Sequence, residues 1–271
     1  MRRRTLIALG LAGCALSPFD RTTPGEPGSG GGGGTAGANS PWGSPGPMYG
    51  DLHRLIFNIT GFCDGVCPNR YVLLAGTRNN GAAVNLPPFD APTARCRTFR
   101  IRSSDPAVAA VRAMNPSNGD RLCIAIGGAD DMMVDALGGG DALLTVTDDA
   151  GQLFDRIEIH VRDAAGVLLW ESARRDIAGN SVTLERTDKG PLAGEFGSFP
   201  IDAAGQRIVT AESTTYEIAD PRIATFVDVW LGEVAKVASF DAAFVHPLTP
   251  GTTTLTLTFR GLQKSYALVV K

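Results

Sequence analysis

The chain of 271 residues lacks several features that common functional classes require. It has only 3 histidines, and aromatic residues make up 7% of it. Beyond residues 2–4 it has no basic cluster, and 28 acidic residues outnumber 25 basic ones. This balance argues against nucleic-acid binding, which needs a positive surface to meet phosphate. The sequence contains no G-x-S-x-G nucleophile elbow and no phosphate-binding glycine loop, so it indicates neither an enzyme nor a cofactor.

Long apolar runs are missing too, and the only candidate lies at the N terminus. Arg2, Arg3 and Arg4 precede an apolar segment that ends at Gly13. This segment is far shorter than the ~18–20 residues that span a bilayer as a helix. A short cationic region followed by a short apolar segment is typical of a cleaved export signal rather than a membrane anchor.

Residues 11–14, Leu-Ala-Gly-Cys, resemble a bacterial lipobox. The resemblance implies that residues 1–13 are a signal peptide and that Cys14 becomes the acylated first residue. Two or more acyl chains on Cys14 would anchor the protein stably to a membrane. Ala15 stands where an aspartate would signal retention in the inner membrane, so the resemblance predicts the outer membrane, with a periplasmic or a surface-facing orientation. The alternative is an ordinary secretory signal with a chance cysteine.

Four further cysteines, Cys63, Cys67, Cys96 and Cys123, lie in the first half of the chain. An even number in an exported chain predicts disulfides. Of the three possible connectivities we favour Cys63–Cys67, which would close a small loop, with Cys96–Cys123, which would join two strands. A four-thiolate zinc site is the alternative, but zinc ribbons prefer two tight pairs.

A linker follows the predicted lipidation site. From Thr22 to Pro47 the chain is almost entirely Gly, Pro, Ser, Thr and Ala. This composition cannot bury a core, so we expect residues 14–47 to form the acylated cysteine and a disordered tether.

The rest of the chain favours short strands separated by turns. The clearest strand begins at Thr254, and its alternation predicts that Leu255, Leu257 and Phe259 share one buried face. The only helical expectation is a single turn within residues 130–137.

An internal repeat organises these strands. A segment that begins at Asp105-Pro106 recurs at Asp220-Pro221, and a second segment that begins at Gly140 recurs at Gly251. The period of about 110 residues suits an Ig-sized sandwich. We therefore predict an all-β chain with two tandem Ig-like β-sandwich domains, at residues 48–163 and 164–271, the first containing two disulfides.

The repeated motifs resemble the bacterial Ig-like group 2 family. Each copy has an Asp-Pro strand, a glycine before an alternating strand of Thr, Leu and Val, and a terminal strand. The family occurs in bacterial surface proteins, including intimin- and invasin-type adhesins. The first copy departs from the pattern in its four cysteines and in a long insertion between Ala75 and Thr98. The resemblance implies a β-sandwich with a surface role and brings no catalytic residues.

Three sets of side chains are candidates for chemistry or binding. Acidic residues could supply oxygen ligands to Ca²⁺, although solvated loop charge is the simpler interpretation. The histidines fit satisfied or solvent-facing sandwich positions better than ligands. Three aromatic residues could form a carbohydrate platform or pack in the core. The three sets are Asp130, Asp131, Asp135, Asp148 and Asp149; His53, His160 and His246; and Trp170, Phe226 and Trp230.

These observations predict a non-enzymatic, lipid-anchored envelope protein. Its Ig-like modules would serve adhesion, binding or envelope structure. The expected partners are a membrane, contacted through lipid at Cys14, and a protein or glycan ligand, with no nucleic acid and no metal. The alternatives are a carbohydrate-binding accessory module and a cryptic hydrolase assembled from distant residues.

Overall fold

The computed structural model describes residues 55–59, 70–86, 96–124, 129–171, 175–177, 179–186, 194–227, 234–235, 237–240 and 242–271. These residues are almost entirely β-strand, which confirms the predicted fold class. Within the described ranges, no helix has both the length and the apolar character needed to cross a membrane. The predicted signal peptide, tether and lipidation site lie outside the described residues, as do Cys63, Cys67, His53 and Trp230.

The strands up to Arg162 form the first sandwich. One sheet has the strand order β1-β3-β7-β5, and the other has the order β2-β9-β8-β4-β6. Phe99, Leu144 and Ile159 are among the fully buried side chains between them. The strand bounds are β1 Ile56–Ile59, β2 Arg70–Leu74, β3 Thr77–Asn85, β4 Arg97–Ser103, β5 Ala109–Ala113, β6 Arg121–Ile124, β7 Ala129–Ala136, β8 Gly140–Asp148 and β9 Leu153–Arg162.

The strands from Gly166 form the second sandwich. Its sheets have the orders β11-β10-β13-β18-β15-β16 and β12-β20-β19-β14-β17. As the alternation predicted, Leu255, Leu257 and Phe259 of β19 are buried in its core. The strand bounds are β10 Gly166–Glu171, β11 Arg175–Asp176, β12 Ser181–Leu184, β13 Gly194–Ile201, β14 Thr214–Ile218, β15 Ala224–Val227, β16 Val234–Ala235, β17 Val237–Phe240, β18 Ala242–Pro247, β19 Gly251–Phe259 and β20 Leu262–Val270.

The two sandwiches share one topology. The order β2-β9-β8-β4-β6 corresponds strand for strand to β12-β20-β19-β14-β17, and β1-β3-β7-β5 corresponds to β10-β13-β18-β15. Even the single parallel pairing in each described sandwich recurs, because β2 runs parallel to β9 and β12 runs parallel to β20. The sequence repeat is therefore a repeat of structure.

The Asp-Pro motif forms the same turn in both copies. The Asp105 carboxylate accepts a hydrogen bond from the amide two residues on, at 3.0 Å, and its carbonyl accepts from the Val108 amide at 3.2 Å. Asp220 repeats both bonds, with 3.0 Å at the carboxylate and 3.2 Å to the Ile223 amide. An aspartate that bonds its own downstream backbone forms an Asx turn, and here the turn leads the chain into β5 and β15.

Two expectations about the first sandwich are wrong. The segment 130–137 is not helical, because β7 covers Ala129–Ala136 with Met132, Val134 and Ala136 buried on one face. Residues 77–85, expected to belong to an insertion, form the internal strand β3. An irregularity between Thr77 and Asn80 interrupts the alternation of β3, and its small residues give a weak strand signal.

The predicted pairing of Cys96 with Cys123 is confirmed. The two residues form a disulfide with Cα atoms 5.4 Å apart, between Cys123 of β6 and Cys96, which directly precedes the neighbouring strand β4. This separation is ordinary for a disulfide. The bond links the edge strand β6 to its only neighbour in that sheet, within the described residues.

Candidate functional site at the domain junction

Strand β2 is buried on both faces and joins the two sandwiches. Tyr71 and Leu73 belong to the first core, whereas Leu74 belongs to the second core and Val72 packs against it. Successive side chains of a strand point to opposite faces, so one strand can contact both cores only if the second sandwich covers the outer face of its sheet. An apolar run such as Val72-Leu73-Leu74 is the sequence signal of such double burial.

A segment of the second sandwich around Val209 pairs with the edge of β2 that is not paired with β9. The Val209 amide donates a hydrogen bond to the Val72 carbonyl at 2.7 Å, and the Leu74 amide donates to the Val209 carbonyl at 3.3 Å. Val209 packs with the first core, while its neighbour Ile208 is fully buried in the second. Each sandwich thus contributes a side chain to the other's core, and the edge of β2 is paired rather than free.

A tight turn presents this segment. The buried Asp202 carboxylate accepts hydrogen bonds from the amides of Ala204 at 2.9 Å and Gln206 at 2.7 Å. The Ile208 amide then donates to the Pro200 carbonyl at 2.9 Å, which ties the returning chain to the end of β13. Because these hydrogen bonds hold the turn at both ends, the turn itself orients Val209 toward β2.

Arg260, in the turn between β19 and β20, adds a polar contact across the junction. Its Nη1 donates to the Ala75 carbonyl of the first sandwich at 3.0 Å. Its Nε donates to Glu212 Oε2 at 2.6 Å, and the hydrogen bond to Glu212 raises the pKa of Arg260 above its ordinary value. Both side chains are about 40% exposed, at 40% and 38%. The ion pair therefore orients Arg260 rather than supplying much stability.

Ionisable side chains share the outer sheet face with the junction. His160 of β9 lies opposite Val72 of β2 and has an exposed fraction of 4%. Its Nδ1 is 2.5 Å from Asp141 Oδ1, and its Nε2 is 3.5 Å from Glu158 Oε2. Arg162 Nη2 donates to the same Asp141 oxygen at 2.6 Å. Burial would raise the pKa of Asp141, but the hydrogen bonds from Arg162 and His160 outweigh it and lower the pKa.

Among the described residues, no hydroxyl or thiol is hydrogen-bonded to the His160 imidazole. The Nδ1 atom of His160 faces Asp141 and Arg162, and its Nε2 atom has no hydrogen-bond partner within the described part of the chain. In a hydrolytic triad, a nucleophilic hydroxyl or thiol is hydrogen-bonded to the histidine imidazole. The sequence around Ser198 comes nearest to the G-x-S-x-G pattern without matching it. Ser198 lies in β13, and its hydroxyl is hydrogen-bonded to the hydroxyls of Thr214 and Tyr216 at 2.6 and 2.9 Å.

The aspartates weighed as possible Ca²⁺ ligands have other partners where the structure describes their side chains. Asp135 lies in β7, accepts a hydrogen bond from the Asn79 amide at 2.7 Å and is 3.6 Å from Arg112. Asp148 accepts from the amides of Ala150 and Gln152 in the turn after β8. Among the described residues, no group of three or more His, Cys, Asp or Glu could hold a metal ion.

The predicted aromatic set separates into different places. Phe226 is buried in the second core, where its ring meets Tyr216 edge to face at 6.3 Å between centroids. It cannot belong to a surface platform. Trp170 of β10 lies over Gly197 of β13, with three indole atoms 2.2–2.4 Å from where a Cβ on Gly197 would stand. The indole thus lies against the sheet surface in the space that glycine leaves, and Trp170 stays partly exposed.

The equivalent positions of the two sandwiches differ at the junction. Leu73 lies opposite Val161, which pairs with Gly140 at the start of β8. Leu184 lies opposite Val270, which pairs with Gly251 at the start of β19. Leu73 and Leu184 therefore occupy equivalent positions in the two sandwiches. Val72 and Leu74 therefore correspond to Thr183 and Glu185, which are exposed. At these equivalent described positions the outer face is apolar in the first sandwich and polar in the second, so the junction depends on the sequence of β2 rather than on the repeat.

Comparison with known proteins leaves the family open. No protein-family model matches the chain, and no curated protein matches it significantly. Solved structures that resemble it include domains 5–6 of the S-layer protein SbsC, at 12% identity over 75% of this chain and 95% of that one, with a TM-score of 0.30. A C-terminal fragment of intimin, solved with the intimin-binding domain of its translocated receptor, shows 11% identity over 70% and 56%, with a TM-score of 0.24.

An enzyme is among the similar structures as well. The β-glucuronidase of Parabacteroides merdae shows 10% identity over 80% of this chain and 24% of that one, with a TM-score of 0.27. Similarities at this level carry no argument about function. The β-sandwich fold rests on the sheets themselves, and membership of the Ig-like group 2 family stays a prediction.

Proposed function

We propose that the chain is a non-enzymatic, lipid-anchored envelope protein that presents two Ig-like modules as one rigid unit for adhesion, binding or envelope structure. The observation that carries the proposal is the junction at β2, where the two cores exchange side chains and the Val209 segment pairs with the strand edge. Modules joined only by a flexible linker would move independently.

The lipobox and the tether supply the other half of the proposal. Lipid at Cys14 would hold the chain at the outer membrane, and residues up to Pro47 would lift the sandwiches clear of the headgroups. A rigid pair on a flexible tether keeps a fixed binding surface while searching the space near the membrane. This arrangement suits contact with a protein or glycan partner better than chemistry on a small substrate.

Metabolic labelling with an alkyne fatty acid tests the anchor. The wild-type chain should be labelled and should fractionate with membranes, whereas Cys14→Ala should be neither labelled nor retained. Ser17→Ala, close to the same site, is the matched control and should behave as wild type. Equal labelling of Cys14→Ala and wild type would refute the lipid anchor.

Carbohydrate binding is the second candidate, and Trp170 is the observation that favours it. The Trp170 indole lies over Gly197 and is partly exposed, and an exposed indole is a side chain on which a sugar ring can stack. A glycan array with the full chain tests this function. Binding that is lost in Trp170→Ala and kept in Trp170→Phe would support a stacking platform, while an array without signal for the wild type would refute it.

A further inference from the structure

The chain contains two Asn-Gly dipeptides, and the structure places them in opposite surroundings. Asn80-Gly81 lies in β3, and Asn118-Gly119 lies in the connection between β5 and β6. Glycine has no side chain to hinder its amide nitrogen, so in either pair the nitrogen could reach the carboxamide of the preceding asparagine. Whether that reaction proceeds depends on how freely each asparagine moves.

Asn118 is exposed and loosely held. A short 3-10 helix, Pro116–Asn118, forms the turn, and Ser117, Asn118 and Gly119 are all exposed. Gly119 has a φ of 61°, and no atom lies within 4 Å of where its Cβ would stand. Within the described part of the chain, no hydrogen bond holds the Asn118 carboxamide. The Asn118 amide donates to the Asn115 carbonyl at 3.0 Å, so the turn holds the main chain of Asn118 but not its carboxamide.

Asn80 is immobilised. It has an exposed fraction of 0%, and its Nδ2 donates to the Val134 carbonyl at 3.0 Å and to Thr77 Oγ1 at 3.2 Å. Gly81 is paired with Met133 of β7 in the same sheet. Moving the Asn80 carboxamide onto the Gly81 nitrogen would break these hydrogen bonds inside the core, so it requires opening of the sheet.

We propose that Asn118 is a site of spontaneous deamidation in the folded protein and that the fold protects Asn80. The Gly119 amide nitrogen, after losing its proton to solvent, attacks Cγ of Asn118. A C–N bond forms, the bond to Nδ2 breaks, and ammonia leaves with a proton taken from water. Water then opens the resulting succinimide at either carbonyl, which yields aspartate or isoaspartate.

The product would change the turn. A new carboxylate would stand two residues from Asp120, which pairs with Arg102 at 3.2 Å. Isoaspartate would also add a methylene to the main chain beside Gly119, whose carbonyl accepts from the Ala113 amide at 3.0 Å. The modification therefore alters the charge and shape of one exposed loop of the first sandwich.

Incubation of the full chain in heavy-oxygen water, followed by peptide mass spectrometry, tests the proposal. In the folded chain, oxygen incorporation at Asn118 should exceed that at Asn80 by more than about tenfold, because the core site reacts only during rare opening. In denaturant both sites should convert at similar rates. Asn118→Gln should abolish incorporation at that position and leave Asn80 unchanged.

Two results would overturn the proposal. Equal conversion of Asn80 and Asn118 in the folded chain would show that the fold gives no selectivity. Conversion of Asn118 in denaturant but not in the folded chain would show that the turn itself protects the residue.

Discussion

Gly140 packs directly against Val108, so that a Cβ on the glycine would stand 2.9 Å from Val108 Cγ2. The second sandwich repeats the contact between Gly251 and Ile223, at 3.1 Å. Gly140 has a φ of 151° and Gly251 one of 157°, which side-chain-bearing residues rarely adopt. In each sandwich, the glycine at the start of the second repeated segment thus packs against an apolar side chain of the Asp-Pro segment. This contact explains why the two segments recur together.

Replacing Gly140 should destabilise the first sandwich. Gly140→Ala adds a methyl group where Val108 already lies and forces an unfavourable φ, so we expect a loss of about 1–3 kcal/mol. Gly81→Ala is the matched control in the same sandwich. No atom lies within 4 Å of its Cβ position, and we expect a change of less than about 1 kcal/mol. Urea unfolding measures both, and equal losses would contradict the packing argument.

Truncating Leu74 should loosen the junction. The side chain is fully buried in the second core, so Leu74→Ala should cost about 2–5 kcal/mol. Thr183 is exposed in the second sandwich at the position that corresponds to Val72, and Thr183→Ala should change stability by no more than about 0.5 kcal/mol. Thermal unfolding gives the stabilities, and small-angle scattering shows whether Leu74→Ala makes the particle more extended. An unchanged profile with full stability would argue against a packed junction.

Reduction should affect the first sandwich alone among the described parts of the chain. Loss of the Cys96–Cys123 bond, which closes a separation of 27 residues, should cost about 2–4 kcal/mol. The second sandwich contains no cysteine. Hydrogen exchange of the double variant Cys96→Ser, Cys123→Ser resolves the two sandwiches, and loss of protection confined to β10–β20 would contradict the expectation.

Acid should weaken the Asp220 turn. The hydrogen bonds from Arg222 lower the pKa of Asp220 to about 2. A lowered pKa means that the carboxylate stabilises the fold above its ordinary pKa, and this contribution is lost as the pH falls through about 2. Asp220→Asn should remove this part of the acid dependence, measured as stability against pH.

Asp105→Asn is the matched control for the acid experiment. Asp105 occupies the same place in the first sandwich, with Ala107 where the second sandwich has Arg222, so the substitution removes no ion pair there. Acid profiles altered equally by both substitutions would show that the ion pair with Arg222 is not the cause.

Much of the architecture could be predicted because strand signals are local. The alternation in β19 and the repeat of the Asp-Pro segments depend on residues next to one another, and Cys96–Cys123 was the favoured one of three connectivities because it would join two strands. Strand β3 was missed because an irregularity at Asn80 breaks its alternation. Strand β7 was misassigned as a helical turn, although Met132, Val134 and Ala136 stand at every second position and are buried on one face.

The candidate site depended on contacts between distant residues, and its only local signal was the apolar run Val72-Leu73-Leu74 in β2. The sequence determined an all-β chain with two copies of one sandwich, since alternation, turns and the repeat are written in neighbouring residues. The folded chain alone shows that β2 packs against both cores, that Val209 pairs with the edge of β2 and that Trp170 lies over Gly197. These relationships join residues far apart in the chain, where folding brings together surfaces whose complementarity is a matter of shape and burial rather than of sequence order.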